Sequence, residues 1–128
     1  MIKIVIANDE RAAVRLLELL IKRTDDMTCI GKAKNGEEAV RMVQALRPDV
    51  VLMDLMMPGI NGVEATKQIK ATVPTTKVVV NTARADYTNR ALDAGASKVL
   101  SIPIEQDEII NAIREVVNQP LEDDRVTK

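Results

Sequence analysis

The side chains of this 128-residue chain best suited to chemistry stand directly behind short apolar runs: Asn8-Asp9-Glu10, Asp54, Thr82 and the turn at Pro103. If the runs before Asp9 and Asp54 form neighbouring strands, those two carboxylates face one another across a short gap. Close carboxylates repel unless a proton or a cation intervenes. With oxygen ligands alone, the cation that suits the pair is Mg²⁺, which needs one or two carboxylates, keeps several waters and leaves room for a phosphate. A histidine–cysteine zinc site is excluded, because the chain has no histidine and Cys29 is its single cysteine.

The elements that must position these groups read as alternating strands and helices. Apolar runs predict strands at 2–7, 28–33, 50–53, 77–80 and 99–102, and helical periodicity fills 11–23, 37–46, 63–71, 86–94 and 106–118. In the last helix, Ile109, Ile110, Ile113, Val116 and Val117 share one stripe, which is core material. Arg47-Pro48, Val73-Pro74 and Gly95 punctuate the helix ends. Five such units with right-handed crossovers predict an α/β fold with a doubly wound parallel sheet and helices on both faces. Ligands of such sheets bind beyond the carboxyl ends of the strands, where the polar groups collect. Residues 1–118 form one domain on this reading, and the polar segment 119–128, with Pro120 and the acids Glu122 to Asp124, is a tail or linker.

Composition narrows the function. Eighteen Lys and Arg against nineteen Asp and Glu give a net charge of -1, which argues against direct nucleic-acid binding by this segment. One Tyr, with no Phe or Trp, leaves an aliphatic core and nothing to stack on a base or a flavin. The first apolar run is strand-sized and is followed at once by Asn8, Asp9 and Glu10, unlike a signal peptide, and no run approaches a membrane span. A lone cysteine, read as a small buried apolar residue, fits a reducing cytoplasm.

The segment Asp54-Leu55-Met56-Met57-Pro58-Gly59-Ile60-Asn61-Gly62 strongly resembles the phosphoacceptor segment of response-regulator receiver domains. Ile4 to Glu10 is similar to that family's acidic first strand end, Thr82-Ala83 to its hydroxyl pair, and Gly95-Ala96 with Leu100 and Pro103 to its approach to the fifth strand. The ordered set, over about residues 1–118, is far more specific than any one motif. The resemblance implies a flavodoxin-like strand order 2-1-3-4-5. It implies that Asp54 takes a phosphoryl group from a histidine kinase, a phosphotransfer protein or a small acyl phosphate. Asp9, Asp54 and the backbone carbonyl of Met56 would hold Mg²⁺, Asn8 would act through a water, and Thr82 would hydrogen-bond a phosphoryl oxygen. It implies a regulatory phosphoacceptor of two-component signalling, promoting its own phosphotransfer and slow dephosphorylation, rather than an enzyme. The switched partner would be an attached C-terminal effector domain, including that of a transcription factor, or a second copy in a homodimer.

Three departures from the family pattern stand out. Ile102 occupies the position of the usual lysine, Val99 that of the usual aromatic, and Asn8 replaces the first acid of the pair. The stretch from Thr82 to Gly95 is also about two residues short. These changes keep open a pseudo-receiver that acts as a protein-interaction module without phosphate. A flavodoxin-like cofactor binder is disfavoured, because no glycine-rich phosphate loop follows the first strand. Plain structural roles stand beside the chemical ones: Asp54 and Thr82 as turn residues, Asn8 and Asp9 as helix caps, and Gly59 and Gly62 as loop formers. Met53, Met56 and Met57 read as packing residues, Tyr87 as a helix-surface residue, and Lys98 as having no part in the site.

Overall fold

The computed structural model describes residues 1–119. Five parallel strands, Ile2–Ala7 (β1), Met27–Ala33 (β2), Val50–Asp54 (β3), Lys77–Thr82 (β4) and Lys98–Ser101 (β5), lie in the order β2-β1-β3-β4-β5. The helices are Arg11–Lys22 (α1), Gly36–Leu46 (α2), Gly62–Thr72 (α3), Thr88–Asp93 (α4) and Gln106–Val117 (α5). Strand order reverses at β1, which pairs with β2 on one side and β3 on the other. Asp9 and Asp54 stand at the carboxyl ends of the two strands on either side of the resulting crevice.

The strands alternate between two cores. Val51, Met53, Val78 and Val80 face the buried side chains of α2, α3 and α4, including Val43, Ile69 and Ala91. Val50, Leu52 and Val79 face the other layer with Leu17 and Ile21 of α1 and Ile110, Ile113 and Val116 of α5. With a period of two, Asp54 and Asn81 continue the α1–α5 series, and Thr82 continues the α3–α4 series. The expected stripe of the last helix is therefore core, with Ile109 and Val117 at its half-buried margins.

Three local features differ from the sequence expectation. β3 and β4 run on through Asp54 and Thr82, because Asp54 still pairs with Asn81 and Thr82 with Ser101. The site residues thus sit on the sheet instead of in loops behind it. The fourth helix is not one piece: a single 3-10 turn, Ala85–Tyr87, precedes the six residues of α4. Arg84 clasps Asp86 through two hydrogen bonds and Tyr87 packs on the core, so the segment is pinned before a regular helix can start. Cys29 is half-buried rather than buried, since β2 is an edge strand, and its thiol lies 3.5 Å from the Gly31 carbonyl.

The loop from Leu55 to Asn61 is held at both ends. Gly59 adopts φ +78°, a left-handed angle that glycine tolerates without penalty. Asn61 caps α3 by accepting from the Glu64 N–H at 3.0 Å, and the Ile60 N–H donates to Glu37 Oε1 on α2 at 2.6 Å. Gly62 lies against the backbone beneath the site, where a Cβ would come within 2.6 Å of the Asp54 carbonyl oxygen and 2.7 Å of the Leu55 Cα. Gly62→Ala is accordingly expected to cost about 1–3 kcal/mol, as overpacking does, and to lower the melting temperature by several degrees. Thermal denaturation checks this; an unchanged transition would show that the loop absorbs a methyl group freely.

Candidate functional site

Asp54 ends β3 half-buried, and its Oδ1 accepts the Met56 N–H at 3.2 Å. Burial pushes its carboxyl pKa above the ordinary aspartate value. The Met56 and Leu55 N–H groups oppose that rise, and the negative charges of Asp9 and Glu10 reinforce it. An acid whose folded pKa is raised lends stability when protonated and loses it as pH climbs through that pKa. At neutral pH the ionised Asp54 therefore burdens the fold. Asp54→Asn is expected to raise the melting temperature by a few degrees at about pH 7, a gain that fades as pH falls toward about 4. Melting curves of both proteins across that range, without divalent cations, check the sign.

Asp9 is exposed and makes no side-chain hydrogen bond with the described residues, so its carboxylate is available to a ligand. The capping role considered for Asn8 and Asp9 is not seen: Glu10 is the N-cap of α1, without a side-chain bond. Asn8 is buried and instead braces the turn, its Oδ1 accepting the Glu10 N–H at 2.9 Å. One lone pair of that oxygen remains for a water. The Met56 carbonyl accepts no backbone hydrogen bond among the described residues, while its side chain is exposed. Among the described residues no group of three or more His, Cys, Asp or Glu forms a metal cage. Two carboxylates, a loop carbonyl and water match instead the sparse protein ligation that Mg²⁺ favours.

Thr82 is buried at the end of β4, with its hydroxyl turned to its own loop, where Oγ1 accepts the Arg84 N–H at 2.9 Å. Its O–H, 3.5 Å from the Arg84 carbonyl oxygen, is only weakly engaged and stays available as a donor. Ile102, 49% exposed, follows β5 and lines a groove of about 370 Å³ together with Asn8, Glu10, Asp54 and Asn81. Among the described residues no lysine or arginine lines it. Val99 packs against the α3–α4 core. Lys98 pairs with Glu115 at 2.7 Å on the surface, in keeping with its exclusion from the site.

Three residues escaped the sequence reading. Tyr87 is no mere surface residue: its half-buried ring packs on the core, lines a cleft with Asp9, Met56 and Pro58, and carries the guanidinium of Arg84 at 4.9 Å. Glu37 reaches the site loop from a distant helix, which no local pattern reveals. Asn81 did leave a trace, as a polar residue closing the run Val78-Val79-Val80.

Comparison with known proteins agrees with this geometry. A family model described as the response regulator receiver domain matches residues 4–114. The chain is 38% identical over 118 residues to the transcriptional regulatory protein DesR of Bacillus subtilis strain 168, covering 92% of this chain and 59% of that protein. It is 37% identical over 107 residues to protein-glutamate methylesterase/protein-glutamine glutaminase 2 of Burkholderia thailandensis, covering 81% of this chain and 30% of that one. It thus spans only part of the length of these relatives. Among solved structures, the response regulator domain of Thermotoga maritima CheB superposes with a TM-score of 0.87 at 30% identity, covering 94% of this chain and 98% of that one. The strand order and a match running from β1 into α5 agree, and the chain belongs to the response regulator receiver family.

Proposed function

We propose that this receiver domain accepts a phosphoryl group on Asp54, with Mg²⁺ beside it, and that the modified state switches a partner or an attached effector domain. The observation that carries the reading is the half-buried Asp54 at the sheet's switch point, facing the negative charges of Asp9 and Glu10 beside a groove that no lysine or arginine among the described residues lines. Such a site calls for a cation from outside the chain.

Asp54, Asp9 and the Met56 carbonyl would hold Mg²⁺, which would supply cancellation of charge on the transferring phosphoryl oxygens. Asp54 then acts as the nucleophile. One carboxylate oxygen forms a bond to phosphorus as the bond to the donor breaks, and the donor's imidazole or carboxylate leaves with the electron pair. The Met56 N–H fixes the Asp54 carboxylate, and the braced loop over Gly62 keeps it aligned for in-line attack. Thr82 turns its O–H from the Arg84 carbonyl, 3.5 Å away, to a phosphoryl oxygen while its Oγ1 still accepts the Arg84 N–H, which couples the modification to the segment leading into α4. The donor is a histidine kinase or phosphotransfer protein, and the effector lies elsewhere than in this charge-balanced segment, including that of a transcription factor. Cytoplasmic residence belongs to the same reading; among the described residues no helix is long and apolar enough to cross a membrane.

A phosphate-independent interaction module is the competing reading, favoured by Ile102 where a cation is usual. Incubation with acetyl phosphate and Mg²⁺, followed by intact mass measurement, separates the two. One added phosphate in the parent and none in Asp54→Ala supports the phosphoacceptor; an unchanged parent mass supports the module.

A further inference from the structure

We infer that the Asn81 carboxamide donates a hydrogen bond to the phosphoryl group on Asp54, filling from β4 the position that Ile102, just beyond β5, leaves without a donor. The inference rests on the reading of Asp54 as phosphoacceptor and adds a phosphoryl-binding residue to it.

The ladder sets Asn81 directly beside Asp54 on the neighbouring strand and beside Leu100 on the other side. Alternation places Asn81 on the same sheet face as Asp54, following Val79 as Asp54 follows Leu52. Adjacent parallel strands lie about 4.8 Å apart, so a side chain of this length spans the gap to a group built on its neighbour. Asn81, Asp54 and Ile102 line the same groove, with β4 between β3, which carries Asp54, and β5, which Ile102 follows.

Asparagine is a poor strand former, and here it ends a run of three valines. Its half-buried carboxamide makes no side-chain hydrogen bond with the described residues, so its two N–H donors are uncommitted. Two other carboxamides line the groove. Asn8 is engaged with the Glu10 N–H through its oxygen, and Gln106 is exposed at the start of α5, off the sheet. Asn81 is the carboxamide that the register sets against the phosphoacceptor. A neutral N–H to an anionic oxygen is a charge-assisted bond, weaker than an ammonium pair but directional.

The test uses beryllium fluoride with Mg²⁺ on the full chain, read by the side-chain amide resonances of Asn81 and by binding affinity. The Asn81 amide pair is expected to shift on saturation. Asn81→Leu, similar in size, is expected to weaken binding on the order of tenfold. Adding Ile102→Lys to that variant is expected to recover affinity, because a donor returns to the same groove. If the parent itself neither binds the probe nor gains phosphate from acetyl phosphate, the phosphoacceptor reading fails and this inference with it. If the parent binds but the Asn81 amide does not move, or folded Asn81→Leu binds equally well, the role of Asn81 alone is overturned.

Discussion

Asp9→Ala is expected to remove detectable Mg²⁺ binding and to slow phosphorylation of Asp54 on the order of a hundredfold or more. Asp9 is one of two carboxylates proposed to hold the ion, and the residue before it is the neutral Asn8. A bound cation contributes several kcal/mol to stabilising the transferring group, and each 1.36 kcal/mol is tenfold in rate. The side chain makes no hydrogen bond with the described residues, so its removal takes no structural bond with it. Calorimetric titration with Mg²⁺ and a phosphorylation time course separate this from misfolding. Full Mg²⁺ binding by the variant would remove Asp9 from the site.

Ile102→Lys is expected to strengthen the link between phosphorylation and conformation. An ammonium at about 4 Å from the phosphoryl group gains on the order of 4 kcal/mol at an effective dielectric of about 20, before desolvation is subtracted. Ile102 is half-exposed and borders the groove that contains Asp54, so the longer side chain has both a path to the group and water for its charge on the way. The amide shifts that beryllium fluoride with Mg²⁺ causes around Thr82 and α4 should be larger in the variant than in the parent. Large shifts of equal size in both would show that Thr82, bonded to Arg84 in the unmodified state, completes the switch without a cation at position 102.

The sheet was legible because the inner strands β1, β3 and β4 are short, mainly apolar runs that close on polar residues, and the acids fell where a doubly wound fold gathers its ligands. The faces were not. Val50 to Met53 and Val78 to Val80 are apolar at every position, since both sides of a parallel sheet are covered, so no alternation marks which side Asp54 or Asn81 takes. Register supplied that, and with it the candidacy of Asn81. Glu37 holds the site loop across 23 positions of sequence, a contact that only folding creates. Tyr87 read as helical surface because local periodicity carries no sign of the Arg84–Asp86 clasp that makes its turn a 3-10 one. The expected tail at 119–128 lies, apart from Gln119, outside the described residues.

The most direct test of the central claim is to trap the acyl phosphate chemically and locate it. After incubation with acetyl phosphate and Mg²⁺, borohydride reduces an aspartyl phosphate to homoserine with release of phosphate, and tandem mass spectrometry of the peptides that contain residues 9 and 10 and residue 54 reads the position. Homoserine at residue 54, absent when Mg²⁺ is chelated, is the predicted result. Reduction at Asp9 or Glu10 instead, or none anywhere in the chain, would contradict it.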